Sequence, residues 1–375
     1  MTAPKSLKIM AFRPFLTALL SSLVFPFIFS GGDLAGGQDP SSPSSGRASG
    51  GLPDTEKTTV YLASGDDLAI NAAIRSLPPE GGRVILGPVL FPVSAAIVID
   101  RDNVELHGIS SATTLRLTDS ANCSVVVIGS TATPVARIVK NVAVRNLVID
   151  GNRGAQQFEC CGGPCDQGGL SHIRNNGITV RGTENSTISN VITHNCRSGG
   201  IVLEKHCRRI EIRDFESYNN EFDGLAAYET EECTFTQMKL YDNRSAAASF
   251  DWKFNRNVIS DSLLIGNGGQ GIFMRDSIGN EFRNLYLNDN GEQGIFIAET
   301  REIADSACRE NRFDRVVVRA NRTQGIRVND ASCVGNVITN SIVTGNKGDN
   351  ISLAVEGILT GADTVTTEAG DETFP

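Results

Sequence analysis

The stretch that decides the fold is Asn267-Gly-Gly-Gln-Gly-Ile-Phe-Met-Arg-Asp-Ser-Ile-Gly-Asn280-Glu-Phe-Arg-Asn-Leu-Tyr-Leu-Asn-Asp-Asn290. It opens on Asn, three residues and Gly-Ile, and it ends on the Asn that opens the next copy. Working outward, the slot glycine recurs as Gly177, Gly200, Gly224, Gly271, Gly294 and Gly325, with Ala247 in the same slot. The steps are 23, 24, 23, 24, 23 and 31 residues. Asparagines march with them at Asn195, Asn219, Asn243, Asn267, Asn290, Asn321 and Asn346. Ten residues earlier runs a second column: Asn185, Arg209, Cys233, Asn257, Asn280, Asn311 and Asn336. A fixed period of this length marks a stacked array.

Each unit holds two or three short runs rich in Val, Ile and Phe, punctuated by Gly and Asn, and no apolar helical stripe. The dense Leu pattern of leucine-rich repeats is absent. A coil of short parallel strands, one turn per repeat, remains. Successive coils then lie about 4.8 Å apart. Equivalent Asn side chains can bond along the stack, and Asn tolerates the left-handed backbone that corners need.

This repeat, over roughly residues 60–355, resembles the right-handed parallel β-helix proteins of pectate-lyase type. So does the opening Ser64-Gly-Asp-Asp-Leu-Ala-Ile-Asn-Ala-Ala-Ile-Arg with Pro78-Pro-Glu-Gly-Gly-Arg-Val-Ile-Leu, which looks like their capping helix and first strand. The residues agree: Asp66 or Asp67 can cap a helix, Ile70, Ile74 and Leu77 line one face, and Pro78 stops it. The expected fold is all-β, a single-stranded right-handed parallel β-helix with a short N-terminal capping helix. The scaffold hosts lyases, hydrolases, epimerases and binding proteins, so function rests on the site.

Four segments follow. Lys5, Lys8 and Arg13 precede an apolar run from Phe15 to Phe29, so residues 1–30 read as a signal peptide cut between Ser30 and Ala35. An uncleaved anchor is the alternative. Residues 31–55 are a Gly/Ser/Pro-rich linker, 56–356 the β-helix, and 357–375 a disordered acidic tail. The expected location is secreted, periplasmic or cell-surface. The net charge of −9 argues against nucleic acid, and no membrane contact beyond the export signal is implied. Nine cysteines suit an oxidising compartment and leave at least one unpaired. For Cys160, Cys161 and Cys165, with His172 nearby, a local bridge and a metal site are both open. Cys308 and Cys333 share a slot of successive coils, close enough to bond or to pack as buried thiols.

After each slot glycine the strand alternates inward and outward. Ile201 and Leu203, Leu225 and Ala227, Ile272 and Met274 fall inward with their equivalents. Outward lie Thr179, Val202, Ala226, Ser249, Phe273, Phe296 and Arg327, then Arg181, Glu204, Tyr228, Asp251, Arg275, Ala298 and Asn329. This wall is the candidate site. Phe273, Phe296 and Trp252 can stack on sugar rings, and Arg181, Lys253 and His206 can hold an acidic polysaccharide. Removing a proton beside a uronate carboxylate needs a base and a neutralising cation, which Tyr228, Lys205 and Arg275 supply. A glycosidase needs paired carboxylates, as Glu204 and Asp251 could be. A solvated wall of vertically paired charges, in a glycan-binding or structural solenoid, is the plain alternative.

The run Asn220-Glu-Phe-Asp-Gly-Leu-Ala-Ala is similar to a stretch of mannuronan C5-epimerases, and the resemblance implies a catalytic-site role for Asp223. Turn formation is its other reading. One coil earlier those enzymes carry Asp-Pro-His-Asp/Glu where this chain reads Val202-Leu-Glu-Lys-His. Ala246 stands where they place a His. Cofactors are uncertain, with Ca2+ open: Asp150-Gly-Asn152 reads as a turn first and a calcium ligand second. His194 is a further candidate acid or base, and the long loop 152–175 is expected to shape a cleft.

Overall fold

The computed structural model describes residues 58–157, 173–300, 304–354, 358–361 and 363–366. The signal, the linker, the Cys160–Cys165 loop and His172 lie outside these residues. Among the described residues no helix is long and apolar enough to cross a membrane.

The chain is a right-handed parallel β-helix. One sheet runs through the slot strands in exact chain order, from Ile97–Ile99 and Val126–Gly129 through Ile178–Arg181 to Ile351–Leu353. Its register follows the period: Ile178, Ile201, Leu225, Ala248, Ile272, Ile295, Ile326 and Ile351 stack on one another. The inward columns are fully buried, including Leu203, Met274 and Ile297. Phe250 and Phe254 stack at 4.1 Å, and Phe282 and Phe313 at 4.6 Å, so the core is a continuous rod of apolar rungs.

The helix Asp67–Ser76 closes the N-terminal end. Asp66 is its cap and accepts from the Ala69 N–H at 2.9 Å. The buried Asp67 instead accepts from Ser94 N–H and Oγ at 2.8 and 3.0 Å, tying the cap to the coil. Arg101 donates to the Ile74 and Leu77 carbonyls at the end of the helix, where carbonyls run short of intrahelical partners.

The asparagine columns need a correction. The ladder runs through Asn220, Asn243, Asn267, Asn290, Asn321 and Asn346, all buried, each carboxamide oxygen accepting from the preceding coil. Asn195 and Asn219 sit one residue earlier, in a column of left-handed residues that continues through Asp242, Gly266, Asp289 and Gly345. The second corner splits the same way. Asn185 and Arg209 are left-handed, whereas Cys233, Asn257, Asn280, Asn311 and Asn336 bond inward. A side chain must leave the turn in the right direction to enter the stack, so adjacent positions divide the two tasks.

The boundary at 356 also falls short. Ile358–Thr360 pairs with Asn336–Ile338, and Val365–Thr366 with Ile342–Val343, adding strands beyond the expected end. Cys308 and Cys333 are both free and buried.

Candidate functional site

A cleft of about 390 Å³ opens on the slot-strand sheet. Its floor is Val202 and Ala226, two small side chains in the outward column whose later members are Phe273 and Phe296. Small residues dig the cleft where the rings would fill it. One wall comes from the corner before the strand: Arg174, Asn176, Ser198, Phe222 and Asp223. The other comes from the strand ends: Glu204, Lys205, Tyr228, Glu229, Asp251, Trp252 and Arg275. Parallel register stacks Glu204 on Arg181 and Asp251 on Tyr228. Left-handed backbone at Lys205, Glu229 and Trp252 turns those side chains along the cleft.

The charges are coupled in pairs. Arg275 grips Asp251 through Nε at 3.0 Å and through Nη2. The other Asp251 oxygen accepts from Trp252 N–H at 2.9 Å and Thr300 Oγ1 at 3.4 Å. Arg275 also lies 5.1 Å over the Phe273 ring. Lys205 pairs with Glu229 at 3.4 Å. Asp223 accepts from Ala246 N–H at 2.9 Å and Ser249 Oγ at 2.7 Å. Burial pushes its carboxyl above the ordinary aspartate range, against bonds from Ser249, Ser245 and Ala246 and the charge of Arg174. Burial also pushes Asp251 up, with Arg275 opposing.

The six candidate catalytic residues, Tyr228, Asp223, Asp251, Arg275, Glu204 and Lys205, all line this cleft, with Trp252 at its rim. The other candidates fall elsewhere. Arg181 is 1% exposed, not open on the wall: an extra loop bends over it, so that it bonds Thr133 Oγ1 at 2.8 Å and meets Glu204 at 3.3 Å. His206 and Lys253, left-handed themselves, are exposed outside the lining, with His206 Nε2 3.3 Å from the cleft residue Glu229. Phe273 and Phe296 stack at 5.5 Å on the same sheet beyond the cleft lining. Thr179, Val202, Ala226 and Ser249, expected outward and open, are buried beneath the cleft walls. His194 stacks on Tyr218 at 5.1 Å on another sheet, where burial lowers its pKa.

Arg174, Asn176 and Phe222 escaped the sequence reading because they precede the slot glycine. Their signal was position: Asn176 and Asp223 stand immediately before Gly177 and Gly224. Asp150 is a turn former, its Oδ1 accepting from Asn152 N–H at 2.9 Å, with Arg116 at 3.4 Å on its other oxygen. Among the described residues no group of three or more His, Cys, Asp and Glu is arranged to hold a metal.

The family described as periplasmic copper-binding protein (NosD) matches residues 145–320. No curated protein matches the chain. Among solved structures, the A-module of mannuronan C-5 epimerase AlgE6 from Azotobacter vinelandii is 18% identical at TM-score 0.61, covering 81% of this chain and 86% of that one. The Dettilon tailspike protein is 14% identical at TM-score 0.54, over 83% of this chain and 67% of that one. The endo-xylogalacturonan hydrolase of Aspergillus tubingensis is 12% identical at TM-score 0.51, over 83% of this chain and 98% of that one. At these identities the likeness is one of fold, the right-handed parallel β-helix.

Proposed function

We propose that this is an exported protein that binds an acidic polysaccharide across its coils and acts on a uronate residue in the cleft. The observation that carries the reading is convergence. Asp223 and Tyr228, at the two ends of one slot strand, and Arg275, two coils further on, line one concave site rather than a flat wall. Proton abstraction beside a carboxylate needs a base, a cation and a proton donor. Tyr228 serves as the proton-transfer group, with Lys205 beside it. Asp251 fixes Arg275 by its Nε and Nη2 edge and leaves Nη1 for the sugar carboxylate. Asp223, whose raised pKa suits a carboxyl that holds a proton, completes the set. The likeness to a family described as periplasmic, to a mannuronan epimerase module and to a xylogalacturonan hydrolase supports export and a glycan ligand. Elimination would give a lyase, and reprotonation from the opposite face an epimerase.

A two-carboxylate hydrolase fits less well. Asp251 has both oxygens engaged and Glu204 faces Arg181, so neither is free to protonate a leaving group. Among the described residues no His, Cys or Met lines the cleft, so these offer copper little to hold it. Non-catalytic glycan binding is the second reading, favoured by the pairing of Lys205 with Glu229 and Asp251 with Arg275.

The test is proton NMR in heavy water with a panel of polyuronates, using the full chain and Tyr228→Phe. Deuterium at C5 or vinylic signals that vanish in the variant support the reaction. Saturable binding without either signal supports the second reading. No binding to any polyuronate refutes both.

A further inference from the structure

Behind the corner that forms one cleft wall lies a second cavity of about 430 Å³, which the proposed reaction does not use. Four guanidiniums line it, Arg116, Arg153, Arg197 and Arg244, against two carboxylates, Asp150 and Glu221. In a chain of net charge −9 this is a local excess of two positive charges. Glu221 is shared three ways. Arg244 bonds it at 2.9 Å, whereas Arg153 and Arg197 stand at 3.6 and 3.8 Å, beyond hydrogen-bond length. Arg153 is fixed instead by Asn219, donating to its backbone oxygen at 2.8 Å and to its Oδ1 at 3.0 Å. The Arg197 Nε is buried and has no hydrogen-bond partner among the described residues. Burial and the neighbouring Arg244 and Arg197 charges hold the Arg153 pKa down, as crowded cations do.

Crowded guanidiniums with an orphaned donor lack an acceptor anion. Forked N–H groups match the oxygens of a carboxylate or sulfate. The cavity exceeds what one oxyanion fills and leaves room for the ring that bears it; the Gln156 and Asn195 carboxamides on its lining are held by bonds within the protein, so recognition falls to the guanidiniums. We infer that this cavity binds an anionic sugar residue, one bearing a sulfate or carboxylate group, at a site separate from the cleft. The inference does not depend on the reaction proposed for the cleft.

The test is titration calorimetry on the full chain with a sulfated oligosaccharide, a uronate oligosaccharide, a neutral oligosaccharide and sodium sulfate, at low and high salt. The expected result is binding of one charged oligosaccharide that weakens with salt and falls about tenfold or more in Arg197→Gln, the loss of one charge-assisted bond. Glu221→Gln, which removes the competing carboxylate, should tighten it, and this gain remains readable if Arg197→Gln fails to fold. Tyr228→Phe should leave it unchanged. Equal affinity for the neutral sugar, or no effect of either cavity substitution, overturns the inference. Sulfate alone binding as tightly as the sulfated sugar overturns its sugar part. Loss of binding in Tyr228→Phe would place the ligand in the cleft and overturn it as well.

Discussion

Asn290→Ala should be among the most damaging single changes in the chain. Asn290 is fully buried, and its carboxamide uses its capacity completely. It donates to the Leu264 carbonyl at 3.1 Å and to Asn321 Oδ1 at 3.0 Å. It accepts from Asn267 N–H at 3.1 Å and from Asn267 Nδ2 at 3.0 Å. Not all partners suffer equally. Asn267 Nδ2 keeps the Leu240 carbonyl, and Asn321 Oδ1 keeps the Asn290 N–H. The Asn267 amide N–H is left buried without an acceptor, which costs about 1–3 kcal/mol. The other three bonds each contribute about 0.5–1.5 kcal/mol net, so the total is roughly 3–5 kcal/mol after partial relaxation. Asn219→Gly is the control. Its position is left-handed, which glycine accepts without strain, and water can replace its partly buried bonds, so the expected loss is under about 1 kcal/mol. Urea denaturation followed by circular dichroism reads both. A loss under about 1 kcal/mol for Asn290→Ala, or equal losses for the two, would refute the assignment of the ladder to the second residue of each corner.

Three further outcomes are expected. Arg275→Gln strands the buried Asp251 carboxylate and should cost about 2–3 kcal/mol, below the usual range for a buried pair because Arg275 is 35% exposed; Asp251→Asn in the same chain should recover most of it, and an additive double mutant would contradict the pairing. Because burial raises the Asp223 pKa, the folded chain holds a proton that the unfolded chain has released; this contribution is present below about pH 3.9 and is lost as pH rises through the raised folded value, so the melting temperature of Asp223→Asn should decline less steeply from about pH 4 upward, and parallel curves would sink the idea. Burial pushes the thiols of Cys123 and Cys233 up to about 12 and raises those of Cys196, Cys207 and Cys308 as well; the hydrogen bond with Cys308 lowers that of Cys333, but this thiol is fully buried, so with Cys160, Cys161 and Cys165 replaced by Ser no thiol should react quickly in the native chain. Six should react in denaturant, and four would mean that Cys308 and Cys333 are joined.

The sequence carried whatever depends on period. Slot glycines, inward columns and the capping helix each follow from local spacing, and coil stacking leaves little freedom once the register is set. It carried less where adjacent residues share one letter. Asn219 and Asn220 are the same residue type with different tasks, and only backbone handedness tells them apart. The cleft was half legible. Its charged and aromatic rim lies in the strand-end column, but its depth comes from Val202 and Ala226, which attract no notice as a motif. Arg181 looked equivalent to Arg275 and is not, because a loop from another coil covers it. The arginine cavity was only partly legible: Arg197 and Arg244 share the position three residues before Gly200 and Ala247, but Arg116 and Arg153 do not share it and join them only when the corners stack.

The departures from the period are therefore more informative than the period itself. Two of them bracket the charged row. The extra residues after Gly129 bring Thr133 onto Arg181, at 2.8 Å. The 31-residue step between Gly294 and Gly325 brings Thr300 back onto Asp251, at 3.4 Å. A third, opening at Asn152, carries Arg153 onto Asn219 beside the second cavity. A uniform coil would present these side chains to water on a flat wall, where ion pairs contribute little. The inserted segments instead desolvate Arg181 and Asp251 at opposite ends of one row and leave the residues between them, Glu204 and Tyr228, on the open cleft. Selection for the stack alone gives no reason for such insertions, because the ladder does not use them: Asn280 bonds Asn311 and Asn290 bonds Asn321 straight across the 31-residue step. Their common effect is to turn a repetitive surface into a bounded site, and that effect is the strongest structural argument for a specific ligand there.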